Sequence, residues 1–445
     1  MAGFVLLRKT AKPLINNLRY GKMKKIWSCH KEMFYGNHFC GIYNEIRMDW
    51  NVMSNIIEQF TKLYHRVPSH TAFTPYRICP LGAHVDHNLG QITGFAIDKG
   101  IHIAFEPRQD GMVEMTSGQF DKQVQFSINA VPETKQDDWA DYLRGATIAL
   151  AQKYPLHTGM YGVLDGELPI GGLSSSAAVI ITYLTALCKV NDIRISPKEM
   201  ISTARAAENN YVGVACGKLD QSCEVYCRKD HLLYMDMLDD SYELIPCHPE
   251  MKPYGIAIFF SGIERTLAGS AYNMRADECR SAAYALKAFA GMPYGKFNET
   301  NLRDVPADVY RQYRDRLPEN WAKRAEHWYT EMDRVQRGAE AWRRGDIEAF
   351  GKLSFESGYS SIHNWETGSP ELKTLYEIMT GTDGIYGGRF SGAGFKGCCM
   401  ALIDPAYRDS IFEKVTKAYL KAFPQLEGKF SVHFCNTADG VQLEV

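Results

Sequence analysis

The stretch Gly171-Gly-Leu-Ser-Ser-Ser-Ala-Ala178 decides how this chain is read. Two glycines run into three hydroxyls and then into Ala178-Val-Ile-Ile-Thr-Tyr-Leu-Thr-Ala-Leu187, a nearly unbroken apolar run that predicts a helix buried on most sides. Such a join is built to hold phosphate. Glycine lets the backbone approach an anion without a Cβ in the way, and a helix that begins at the serines aims unpaired N–H groups and the positive end of its dipole at the same point. A hydroxyl there can also ligand Mg²⁺. The plainer alternative is a Gly-rich turn with serine as N-cap. No Gly-Lys-Ser/Thr follows, so this is not a Walker A loop, and a nucleotide held here implies a different fold.

Working outward, 445 residues are too many for one ordinary core and predict two domains or three. Lys and Arg (50) nearly balance Asp and Glu (52), which gives no pull toward nucleic acid or a membrane surface. No run of about 18 apolar residues is present to span a bilayer. The expected partners are therefore small molecules, and the chain is expected to be cytoplasmic, as a monomer or weak oligomer. Twelve cysteines contain no paired Cys-x-x-Cys units, so free thiols in a reducing compartment are the simplest reading. The first 46 residues carry eight Lys/Arg against Glu32 and Glu45. Poor in Ser and lacking an apolar core, they read as neither a transit nor a secretory signal. Residues 1–50 are expected to be a basic extension, peripheral or disordered, with Met48 or Met53 an alternative start.

Hydrophobic periodicity predicts a helix at 51–64, strands at 71–80 and 95–106 flanking a polar loop at 82–90, and one further strand at 113–128. A helix at 141–154 and a strand at 159–168 lead into the glycine loop, and a second helix follows at 196–211, with Ser196 as cap and Pro197 in its first turn. Strands are expected at 232–237 and 255–260. The two prolines between 246 and 253 suggest a boundary there, giving domains 51–248 and 249–445. Beyond it the pattern turns helical (271–290, 304–316, 321–344, 347–359), then gives a glycine-dense loop at 387–397, a strand at 398–403, a helix at 407–423 and a strand at 429–434. The fold class is α+β.

Three further stretches carry chemistry. Tyr76-Arg-Ile-Cys-Pro-Leu-Gly-Ala-His-Val-Asp-His87 delivers Arg77 on a strand and presents His84, Asp86 and His87 on a turn, where short polar side chains suit hydroxyl recognition or simply cap the turn. No third ligand is spaced to make the two histidines a metal site. Glu208-Asn-Asn-Tyr-Val-Gly-Val-Ala-Cys-Gly-Lys-Leu-Asp-Gln221 sets two carboxylates on either side of a glycine-containing turn, so that one could hold Mg²⁺ and the other orient or deprotonate a hydroxyl. Gly387-Gly-Arg-Phe-Ser-Gly-Ala-Gly-Phe-Lys-Gly-Cys398 spends so many glycines that its backbone must approach something closely.

In this order and at these positions the stretches resemble the three signatures of the GHMP kinase superfamily, and within it the galactokinase branch, over residues 60–445. The resemblance implies a two-domain fold with the active site in the cleft between the domains, ATP and Mg²⁺ as cosubstrate and metal, and transfer of a phosphoryl group to the anomeric hydroxyl of a sugar. It implies ATP binding by Gly171, Gly172, Leu173, Ser174, Ser175 and Ser176 and by Gly392 and Gly394. It places Asp220 as catalytic base, Arg77 beside the transferred phosphate, Mg²⁺ on Ser176 and Glu208, and the sugar against His84, Asp86 and Tyr272.

The departures concern the substrate. Galactokinases read Gly-Glu-His-Thr-Asp-Tyr where this chain has Gly82-Ala-His-Val-Asp-His87, so a glutamate near the sugar C6 hydroxyl is replaced by Ala83. A glutamate would repel a C6 carboxylate, and alanine removes that charge and opens space. This points to a uronic acid, and the wording is similar to that of the galacturonokinase group. Lys218 stands where an apolar residue is usual and offers a cationic partner for the carboxylate. D-galacturonate is therefore the expected substrate, with D-galactose as the rival and a non-catalytic sugar and ATP sensor as the third reading.

Overall fold

The computed structural model describes residues 40–214, 216–263 and 269–444. The basic start therefore lies mostly outside the described residues, with 40–50 alone described, as the first turns of helix α1 (Cys40–Tyr64). Residues 56–445 form one compact unit.

Its first sheet is built on β2 (Gln91–Arg108), which is longer than its periodicity predicts because it serves two sets of neighbours. The half at 100–108 lies between β1 (His70–Ile78) and β5 (Gly159–Gly166), and the half at 91–97 pairs with β6 (His231–Asp236) and β12 (Thr437–Ala438). The expected strand at 113–128 is a hairpin, β3 (Met112–Ser117) and β4 (Phe120–Ser127), because Gly118 turns the chain and gives its N–H to the Leu164 carbonyl. β3 runs parallel to β5. β7 (Tyr242–Pro246) pairs with β6, and β13 (Gln442–Glu444) closes the edge beside β1. The second sheet runs in the order β11-β8-β10-β9, from β8 (Gly255–Phe260), β9 (Ile385–Phe390), β10 (Cys398–Ile403) and β11 (Ser431–Cys435), all antiparallel. Residues 248–249 lie between β7 and β8, while β12 and β13 return to the first sheet, so a cut there strands the C-terminal residues on the far side.

Of the remaining helices, α2 (Asp141–Ala151), α3 (Ser175–Val190), α4 (Pro197–Ala206) and α5 (Leu219–Tyr226) belong to the first half of the chain. Helix α3 has the all-round apolar surface that its sequence promised, with Ala177, Ile180, Ile181, Tyr183, Leu184 and Leu187 fully buried. Helix α4 opens with a capping box between Ser196 and Glu199, and its expected continuation to 211 is instead a π-helical turn, Ala207–Val212. The second half adds α6 (Gly269–Phe289), α7 (Ala307–Tyr313), α8 (Glu319–Arg343), α9 (Ile347–His363), α10 (Pro370–Thr380) and α11 (Arg408–Ala422). The sequence reading passed over α10, although Ser369 caps it by accepting from the Leu372 N–H with Pro370 in its first turn. It also took β9 for loop. Gly387 is in strand because its missing side chain lets β9 press against Gly351 of α9. Among the described residues the cysteines are free thiols, and no helix is long and apolar enough to cross a membrane.

Candidate active site

The end of β1 delivers Arg77, 3% exposed, to the centre of the site. Its Nε donates to Asp220 Oδ1 at 2.7 Å and its Nη1 to the Gly172 carbonyl at 3.1 Å, with Ser391 Oγ at 3.5 Å. Burial disfavours the guanidinium charge, but the Asp220 carboxylate outweighs it and holds Arg77 protonated above its ordinary range. Asp220 sits in the first turn of α5 with its side chain 29% exposed, so it is paired and still reachable.

Two glycine loops meet on the other side of Arg77. A Cβ on Gly172 would come within 2.7 Å of Cys398 Sγ, and one on Gly397 within 2.7 Å of the Gly171 carbonyl carbon. Gly392 lies as close, 3.0 Å from the Gly172 Cα by the same measure, and Gly394 turns at φ +74° beside Thr367. Segments more than 200 positions apart in sequence are thus in backbone contact, which only glycine permits. Ser174 precedes α3 in a left-handed conformation (φ 66°), and its buried Oγ has no partner, so it is not the N-cap donor-acceptor of the plainer reading. Leu173 is buried and gives its carbonyl to the Arg77 N–H, while Ser175 and Ser176 open α3 half-buried.

The turn after β1 holds the remaining groups. Asp86 Oδ2 accepts from the Leu219 N–H at 3.3 Å, which fixes Asp86 to the start of the Asp220 helix. A side chain on Gly217 would strike that carboxylate, so glycine is required there. Burial pushes the Asp86 carboxyl up, but the His87 ring and the backbone N–H outweigh it and hold it below its ordinary value. His84, in the left-handed region at φ 62°, stacks on Trp365 with centroids 4.9 Å apart, and Tyr272 closes on both rings. Burial, with the charge of Arg389, keeps His84 neutral, well below the usual histidine value. Ala83 is 6% exposed.

Glu208, on the π-helical turn, is buried and accepts from Gln221 Nε2 at 2.9 Å. Its charge and those of Asp86 and Asp220 all reach Cys216, so the three carboxylates face one small region. Among the described residues no three His, Cys, Asp or Glu side chains group as metal ligands.

Lys218 does not join this arrangement. It is the N-cap residue of α5 and its ammonium pairs with Asp240, whereas Asp220, two positions on and so about 200° round the helix, pairs with Arg77. The sequence reading also missed what supports the turn from beneath. Glu331 of α8, fully buried, accepts from the Gly82 N–H, from Ser357 Oγ and from Arg334 Nε, each at 2.7 Å. His327, one turn earlier, donates through Nε2 to the Ala83 carbonyl at 2.9 Å, and its Nδ1 meets Ser360 Oγ at 2.9 Å. The one local trace is that Arg324, His327, Glu331 and Arg334 recur at helical spacing, as a stripe about 100° round the helix from the apolar stripe Ala325, Trp328, Met332 and Val335, which does not say what covers it.

Comparison with known proteins agrees with this geometry. Residues 141–228 match the GHMP kinases N terminal domain and 339–421 the GHMP kinases C terminal domain. The chain is 39% identical over 393 residues to a galacturonokinase of Arabidopsis thaliana, covering 83% of this chain and 92% of that protein. It is 32% identical over 386 residues to a galactokinase of Roseiflexus, covering 86% and 95%. The Lactococcus lactis galactokinase solved with galactose superposes with a TM-score of 0.80 at 26% identity, over 88% of this chain and 99% of that one. Sharing over most of its length both the sequence and the two-domain fold of these proteins, the chain belongs to the GHMP kinase family, on its galactokinase branch.

Proposed function

We propose that this protein transfers the γ-phosphoryl group of ATP to the anomeric hydroxyl of D-galacturonate, giving galacturonate 1-phosphate and ADP in the cytoplasm. The observation that carries the reaction is the Arg77–Asp220 pair, which joins the glycine loops on one side to the Asp86 turn on the other. Phosphoryl transfer asks mainly for positioning and charge neutralisation. Asp86, with His84 and Tyr272, would hold sugar hydroxyls, and Asp220 would orient the C1 hydroxyl and take its proton as the C1 oxygen bonds to the γ-phosphorus. The bond from that phosphorus to the β,γ-bridging oxygen breaks, and the electron pair leaves with ADP. Arg77 would neutralise charge on the moving group while keeping Asp220 ionised. Backbone N–H groups at 171–176 and the loop at 391–397 would cradle the phosphates. Ser176 and Glu208 offer hard oxygen donors suited to Mg²⁺, which when bound would neutralise phosphate oxygens.

The uronate assignment rests on Ala83 and on the galacturonokinase likeness, since Lys218 faces elsewhere. ADP release with ATP and Mg²⁺ is measured on D-galacturonate, D-glucuronate and D-galactose, with wild type beside Ala83→Glu. Preference for galacturonate that collapses in the variant is the expected result. Preference for galactose in the wild type makes the protein a galactokinase, and ATP binding without turnover on any sugar makes it a sensor. Asp220→Asn should lower turnover about 100-fold or more, and near-normal turnover in a folded variant refutes its role.

A further inference from the structure

Lys218 stands two residues before Asp220 and faces a second cavity, of about 380 Å³, behind the catalytic helix. That size falls in the range of small-molecule sites, about 300–1,000 Å³. Its charged lining is Lys198, Arg205 and Lys218 against the single carboxylate of Asp240. Both lysines converge on that carboxylate, Lys218 directly and Lys198 at 3.3 Å. Asp240 is itself in the left-handed region, φ 64°, at the hairpin tip between β6 and β7. Three cations around one anion leave an excess of two positive charges, which a dianion would match. The floor is apolar, from Ile201 and Met235 with the Tyr226 ring, which is braced by stacking on Tyr242 at 4.3 Å.

The walls of this cavity hold the catalytic loop. Arg205 Nε donates to the Cys216 carbonyl at 3.2 Å, and Asn209 bonds the Cys216 backbone through both ends of its amide, at 3.3 Å each. Asn209 follows Glu208 on the π-helical turn, so adjacent residues serve the active site and the second cavity. Lys218 leads directly into the helix that carries Asp220.

We propose that this cavity is a regulatory site for a monosaccharide phosphate, whose phosphate takes the place of Asp240 between Lys198, Lys218 and Arg205 while its ring lies over Tyr226 and Met235. A phosphate monoester carries about −1.5 to −2 charge at neutral pH, which suits the excess. Its occupancy would pull on Lys218 and Arg205 and so change the set of Asp220 and Cys216, altering turnover from outside the active site.

The test uses the full chain with both substrate sites filled by sugar and a non-hydrolysable ATP analogue, and titrates α-D-glucose 1-phosphate by calorimetry against inorganic phosphate. Binding below about 1 mM is expected, tighter than inorganic phosphate, and weakened about tenfold or more in Lys198→Glu, while the basal turnover of that variant is unchanged. In the assay without analogue, glucose 1-phosphate should change wild-type turnover and leave Lys198→Glu unaffected. Ser202→Glu, which sets a negative charge on the rim, should repeat the loss. No binding at about 10 mM, or binding that both variants retain, overturns the site. Equal affinity for inorganic phosphate overturns the sugar-phosphate assignment, and binding that leaves turnover untouched overturns the regulatory role.

Discussion

The turn at 82–88, proposed to hold the sugar, and the glycine loop at 171–176, proposed to hold phosphate, lie on either side of the Arg77–Asp220 pair, yet they are held in place by opposite means. The phosphate loop is fixed by absence: Gly171 and Gly172 lie against Gly392, Gly397 and Cys398 with no side chain between the backbones. The turn at 82–88 is fixed by buried hydrogen bonds from α8, where the ionised Glu331 accepts from the Gly82 N–H and the neutral His327 donates to the Ala83 carbonyl. Glycine contact would give a phosphate site its close approach, with no carboxylate between the backbones to repel the phosphates. Buried charge gives the sugar turn a single conformation, at the cost of a carboxylate that must keep all its partners.

The contrast makes Glu331→Ala the most damaging change outside the residues proposed to be catalytic. Removing it leaves Arg334, Ser357 and the Gly82 N–H without their shared acceptor inside the core. Breaking a buried, hydrogen-bonded ion pair costs about 3–5 kcal/mol, and urea unfolding should show a loss of that size. A loss below about 1 kcal/mol would mean that the turn does not depend on charge. Gly172→Ala comes next and strikes the other side of the comparison. At φ +84° and with Cys398 Sγ 2.7 Å from the new Cβ, alanine strains the loop by about 1–3 kcal/mol. The expected result is a KM for ATP raised about tenfold, with the KM for sugar little changed. Equal changes in both would show that the two regions are not held independently.

This difference in means also decides what the sequence could disclose. Glycine clusters and apolar runs are visible in any single chain: Gly171-Gly172 and the five glycines in twelve positions at 387–398 mark the two loops, and the apolar run at 178–187 marks helix α3. The Arg77–Asp220 pair was legible only through the family's motif order, since 143 positions separate its members. Glu331 and His327 looked like ordinary helix polarity, and nothing local says that their face is buried against a turn 244 residues away. Lys218 misled for the same reason. Its charge is evident in the sequence, but its direction depends on Asp240, in a hairpin whose second strand, β7, the periodicity does not predict.

The smallest expected effect is on pH dependence, and it separates the two regions without disrupting either. His327 is held down to about 4 by burial, from an ordinary 6.5, and Glu331 is held down to about 2 from 4.5, where the charges of Arg334 and His327 overcome burial. A group whose folded value lies below its unfolded one adds stability above the unfolded value and loses it as the pH falls toward the folded value. The fold should therefore lose stability first between about pH 6.5 and 4, through His327, and further between about 4.5 and 2, through Glu331. The neutral ring fits its place because Nε2 donates to a carbonyl that can only accept, which leaves Nδ1 to accept from Ser360. A proton on Nδ1 makes that nitrogen a donor too, so the Ser360 hydroxyl must turn to accept and a charge is left on a buried ring. The glycine contacts contain no group that titrates in this range. The folded ring takes its proton only near pH 4, so the KM for sugar should rise about twofold between pH 5 and 4 while the KM for ATP stays level, and His327→Gln, whose amide can still donate to the Ala83 carbonyl, should flatten the rise. A parallel rise in both constants, or a rise that survives in His327→Gln, would show that the sugar turn does not take its acid sensitivity from α8.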